Sequence, residues 1–124
     1  MHILLISPDL MISSRIAPLA AAAGATVAAV GSADATAAPG PYDLVLLDLQ
    51  TPAADTATLV AKARGMLAAV QAAAPPIVAF GPHVATQRLD DAKAAGAAEA
   101  ISRGGLLGGF QAVLARHRTG LHEE

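Results

Sequence analysis

Three side chains in this 124-residue chain could share a reaction if the fold gathers them: the carboxylates Asp9 and Asp48 and the imidazole His83. Asp48 ends an apolar run within Tyr42-Asp43-Leu44-Val45-Leu46-Leu47-Asp48-Leu49-Gln50-Thr51-Pro52. A run of that kind, bounded by Pro41 and Pro52, reads as a strand buried on both faces, with its carboxylate delivered to the carboxyl end. In open α/β sheets that end is where ligands and reactive groups sit. Asp9 follows Ser7-Pro8 at the end of the first apolar run, and His83 follows Gly81-Pro82 at the end of another. Two carboxylates and an imidazole on one edge offer metal binding or acid-base work. The competing reading has His83 capping the next helix and Asp48 accepting hydrogen bonds from loop amides. His2, His117 and His122 fall outside this edge and read as surface groups, and the histidines show no zinc spacing.

The elements that must position these groups alternate. Ile3 to Ile6 reads as a strand, and Ile12, Ile16, Leu19, Ala20 and Ala23 follow at helical spacing, with Gly24 as the C-terminal cap. Pro18 interrupts that helix, so regular helix is expected to start late, at Ser13 or Ser14, after a kink or a loose turn. Ala25 to Gly31 reads as a second strand, and Ser32 to Gly40 leaves room for at most a short helix before Pro39-Gly40-Pro41. After the Asp48 strand, Leu59, Ala63, Met66, Leu67 and Val70 form one helical face that Pro75-Pro76 ends. Ile77 to Phe80 is the fourth strand, and a helix with Leu89 and Ala92 inward stops at Gly96. Ala98 to Ser102 is the fifth strand. One final helix carries Leu106, Phe110, Val113, Leu114 and His117, and residues 119–124 form a polar tail after a single domain spanning 1–118. Such alternation predicts an α/β fold, a doubly wound parallel sheet with helices on both faces.

From Ile3 to about Leu114 the chain resembles the receiver domain of two-component response regulators. Asp48 falls at the phosphoacceptor position, Pro52 at the loop proline, and Ala95-Gly96-Ala97-Ala98-Glu99 is similar to the turn entering the fifth strand. The resemblance implies a five-stranded, flavodoxin-like (CheY-like) sheet in the order 2-1-3-4-5. It also implies a Mg²⁺ site built from an acidic pair after the first strand, the acceptor Asp48 and the backbone carbonyl of Gln50. Here the acidic pair reads Ser7-Pro8, leaving Asp9, Asp48 and Gln50 as the remaining metal-ligand candidates. The family's switch hydroxyl falls on Gly81, and its Lys-Pro becomes Arg103-Gly104. Phosphoryl transfer depends on positioning and on neutralising charge over the transferring oxygens, and these departures remove most of both. The reading is therefore a degenerate receiver, or pseudo-receiver: a stand-alone signalling module, not an enzyme, with no cofactor. One alternative keeps Asp48 as a phosphoacceptor in a phosphorelay, with Mg²⁺ and with Asp9 and Arg103 compensating. Another makes the carboxyl edge a small-molecule site. An ion pair of Asp48 with Arg103 is a further structural role.

Composition narrows the partners. A formal charge of −2, dispersed basic residues and three aromatics give no footprint for nucleic acid. The apolar run at Ile3 is too short for a membrane span or signal core, so the expected location is cytoplasmic. There is no cysteine, which excludes disulfides and thiolate chemistry. Heavy use of Ala gives helix propensity with small side chains, so the helices are expected to lie close to the sheet. No output domain follows, so any effect is expected to pass through a protein partner or homodimer. In receivers the face of the fourth helix, fifth strand and fifth helix serves this purpose, and Arg88, Lys93 and Arg103 would line it here.

Overall fold

Strands and helices alternate as the hydrophobic pattern requires. The computed structural model describes residues 1–37, 40–49, 55–82 and 86–118. In chain order the elements are β1 (His2–Ile6), α1 (Leu10–Ala22), β2 (Thr26–Val30), β3 (Leu44–Asp48) and α2 (Thr56–Ala68). They continue with β4 (Ile77–Gly81), α3 (Thr86–Ala94), β5 (Glu99–Ser102), α4 (Arg103–Gly108) and α5 (Phe110–Arg118). All five strands are parallel in the order β2-β1-β3-β4-β5. The expected sheet is present.

The central strands are buried on both faces, which is why they read as continuous apolar runs. Every residue of β3 and β4 is buried. Alternation then splits the core in two. On one face Leu4, Ile6, Val45, Leu47 and Ala79 meet Leu59, Ala63 and Leu67 of α2 and Ala92 of α3. On the other, Ile3, Leu5, Leu44, Leu46, Val78 and Phe80 meet Ile12, Ile16 and Ala20 of α1 and Leu106, Phe110, Val113 and Leu114 of α4 and α5.

Two local expectations are corrected. Helix α1 does not start late: Asp9 is its N-cap, its Oδ1 accepting the Met11 N–H at 2.9 Å, and regular helix runs from Leu10 through Pro18. The cap holds the first turn, and Pro18 lies on the exposed side, so the helix tolerates one missing bond. The final helix is two helices, because Gly108-Gly109 interrupts it and Gly109 caps the first. Glycine costs about 1 kcal/mol in a helix interior, and two in succession mark the break. Between β2 and β3 the described residues hold a turn, closed by Ala35 N–H to Ser32 O at 3.2 Å, and no helix. Ala33 and Ala37 of this connection are buried against the α2 side of the sheet.

Glycine is required at Gly24 and Gly96, whose φ values of +75° and +113° turn the chain from α1 into β2 and from α3 into β5. The Arg64 guanidinium packs over Gly96 and donates to its carbonyl at 2.9 Å.

Candidate functional site

Register sets the site. Ile6 pairs with Leu47, so the residues that follow them, Ser7 and Asp48, leave the sheet side by side at its carboxyl edge. Asp48 is 1% exposed and Ser7 6%. The Ser7 hydroxyl donates to Asp48 Oδ2 at 2.7 Å and accepts the Asp9 N–H at 3.1 Å. A buried carboxylate needs such donors, because an ion removed from water without them is costly. The hydroxyl is used in both directions, as a donor to the carboxylate and as an acceptor for the loop amide.

The remaining positions fall around this pair. Asp9 lies two residues beyond Ser7, with its carboxylate on the N-terminus of α1 at Met11. Pro8 between them is exposed. Gly81 ends β4, where Asp48 pairs with Phe80; a β-carbon added to Gly81 would meet Leu49 Cβ at 3.6 Å, an ordinary contact. There is room for a side chain there, and the sequence supplies none. Across from Gly81, Ser102 ends β5 and its Oγ accepts the Gly105 N–H at 2.9 Å, capping α4. Arg103 is the first residue of α4 and is half-buried. Gln50, Pro52 and His83 lie outside the described residues. The structure thus unites Ser7, Asp9 and Asp48 and places Gly81 and Arg103 at the same edge.

These donors can be tested against Mg²⁺. The ion demands near-octahedral oxygen ligands anchored by carboxylates. Asp48 is the one carboxylate at the centre, its Oδ2 is bonded to Ser7, and Asp9 is engaged at the helix cap. Among the described residues no three His, Cys, Asp or Glu side chains gather as a metal would need. Of the expected ligand set the described residues hold Asp48 and the cap-engaged Asp9, and Gln50 lies outside them.

A second polar cluster escaped the reading of the sequence. Glu99, at the start of β5, accepts from Arg116 Nη2 at 2.5 Å and lies 2.7 Å from His117 Nε2, both on α5. The His117 side chain is 13% exposed, so it is not the surface group expected, and His2 stacks on Tyr42 with ring centroids 4.5 Å apart. Partial burial pushes the Glu99 carboxyl up, but the hydrogen bonds from Arg116 and His117 outweigh it and hold the group below the ordinary carboxylate range. The spacing of Glu99 from Arg116 and His117 gave no local signal. The contact exists because α5 runs back along the sheet and brings its last turn to the amino end of β5. A cavity of about 600 Å³ also lies at this amino edge, between the end of α2, residues 72–76 and Gly96, far along the strands from Asp48.

No family model matches the sequence, and no curated protein matches it. Solved structures do match its fold. A two-component response regulator from Clostridium difficile superposes with a TM-score of 0.76 at 17% identity, covering 99% of both chains. A response regulator receiver domain protein from Clostridium thermocellum gives 0.73 at 15% identity over 97% of both chains. The receiver domain of a sensor histidine kinase from Pseudomonas aeruginosa, which has a magnesium ion in its active-site cleft, gives 0.66 at 18% identity, covering 93% of this chain and 94% of that one. The fold of this chain is the receiver, CheY-like fold, over nearly its whole length. No helix among the described residues is long and apolar enough to cross a membrane.

Proposed function

We propose that residues 1–118 act as one receiver-like signalling unit of the pseudo-receiver kind, a non-enzymatic cytoplasmic module that works through protein contacts without efficient phosphorylation of Asp48. The observation that carries this reading is the hydrogen bond of 2.7 Å from the Ser7 hydroxyl to the buried Asp48 carboxylate. In a phosphoacceptor the carboxylate oxygen must attack phosphorus while positive charge gathers the transferring oxygens. Here a hydroxyl donor occupies Oδ2 of Asp48, the second carboxylate caps α1, and Gly81 offers no hydroxyl to hold a phosphoryl group. The likeness in fold to response regulators supports a role in signalling, and the α3–β5–α5 face supplies a surface for a partner protein. On that face Glu99, Arg116 and His117 tie α5 to β5, so a partner would meet a fixed pair of elements.

Calorimetric titration with Mg²⁺ tests the metal part of this reading: no saturable heat is expected, and binding abolished by Asp48→Asn would refute it. The alternative of a catalytic edge with Asp48 and His83 is tested by the pH profile of any candidate reaction in His83→Gln, and the proposal expects no activity to be lost.

A further inference from the structure

The two edges of the sheet are built differently. Strand β5 is four residues long, carries Glu99 with its ion partners, and passes directly into α4. Unpaired strand edges invite pairing with another chain, and short length, charge and a covering helix are the usual defences. Strand β2, one residue longer than β5, lacks the charge. Its sequence Thr26-Val27-Ala28-Ala29-Val30 holds no charge and no proline, every residue is exposed or half-exposed, and no helix follows it among the described residues.

The backbone bonds fix which groups face outward. Thr26 N–H donates to Met1 O at 3.0 Å and Val30 O accepts from Ser7 N–H at 3.0 Å, so Thr26, Ala28 and Val30 turn their polar groups to β1. By alternation the N–H and C=O of Val27 and Ala29 point to the open edge, where the described residues add no further strand.

Helix α1 packs over β1 and β2 on one face. Leu19 turns toward the start of α5, beside Leu107 and Phe110, so the opposite flank of α1 faces the open edge. That flank carries Ser13, Ala17 and Ala21, spaced four apart, with Leu10 at its start. Ala17 and Ala21 are exposed, and Leu10 is 82% exposed.

From these features we infer that β2 is the self-association edge: two copies pair antiparallel about a two-fold axis at Ala28, and their α1 helices pack flank to flank above it. Val27 of one copy then exchanges both backbone bonds with Ala29 of the other, and the five strands of each copy join into one continuous sheet. One strand spacing of about 4.8 Å at the axis, with each α1 set slightly inboard of its β2, brings the helices to about 10 Å. Helix pairs pack at 8–10 Å, and a separation this short needs small residues between them. Ala17 would meet Ala17 of the partner, and Leu10 would cover the turn after the partner's Ala21. A five-residue strand alone falls short of the roughly 800 Å² per partner of a stable interface, and the helix flank extends it. No like charges meet, since neither β2 nor the α1 flank carries one. The α3–β5–α5 face stays free for a different protein.

The test uses the full chain. Light scattering during size exclusion is expected to give a concentration-dependent dimer. Ala17→Glu, an exposed change that places two carboxylates at the axis, and Ala29→Pro, which removes an outward N–H, are both expected to yield folded monomers by circular dichroism. Because the chain has no cysteine, Ala17→Cys is expected to give a disulfide-linked dimer under mild oxidation, whereas Ala22→Cys, on the other flank, stays monomeric. A wild-type chain that is monomeric to millimolar concentration overturns the inference. So does a dimer that survives Ala17→Glu, or cross-linking no faster at position 17 than at 22. None of these outcomes depends on the state of Asp48.

Discussion

At the carboxyl edge one hydroxyl joins the first strand to the third, and its removal has a calculable consequence. In Ser7→Ala the Asp48 carboxylate loses a buried donor and the Asp9 amide loses its acceptor. Leaving buried polar groups unmatched costs about 1–3 kcal/mol, so chemical denaturation of Ser7→Ala is expected to show a loss in that range. Ser7→Thr, which keeps the hydroxyl, is expected to recover most of it. Glu99 carries a pH signature of its own. Its carboxyl titrates below the ordinary 4.5 in the folded chain, so it contributes stability above the unfolded value that is lost as pH falls through the lowered native value. Glu99→Gln should therefore lower the melting temperature at neutral pH, and the gap from wild type should close on acidification below 4.5. A gap that widens with acid would contradict the assignment.

Among the elements, α1 shows where sequence and structure part. The apolar spacing of Ile12, Ile16 and Ala20 was legible and gave both the helix and the face it buries. Its start was not: the sequence presents Asp9 as a site carboxylate and Ser13 or Ser14 as the helix start, and the closed Asp9–Met11 bond makes Asp9 the cap. Pro18 remains inside the helix, where it leaves the Ser14 carbonyl without its usual donor. Pro18→Ala is expected to stabilise the chain by up to about 3 kcal/mol, read from the denaturation midpoint at constant slope. The final helix divided at Gly108-Gly109 for the opposite reason: the apolar spacing of Leu106, Phe110, Val113 and Leu114 continues across a backbone that does not.

Over the whole molecule the fold was readable because β3 and β4 are buried on both faces and announce themselves as unbroken apolar runs. Leu46, fully buried at the centre, is expected to cost about 2–5 kcal/mol as Leu46→Ala. The site was readable in part. The positions of Ser7, Asp48 and Gly81 followed from strand ends, but the hydroxyl bridge to Asp48 depends on the β1–β3 register, and the Glu99 cluster depends on where α5 finishes. Neither is a local property of the sequence. Electrospray mass measurement of the intact chain, after incubation with a small phosphodonor and Mg²⁺, separates a pseudo-receiver from a phosphoacceptor. The proposal predicts the unmodified mass, and an added phosphoryl group that disappears in Asp48→Asn would contradict it.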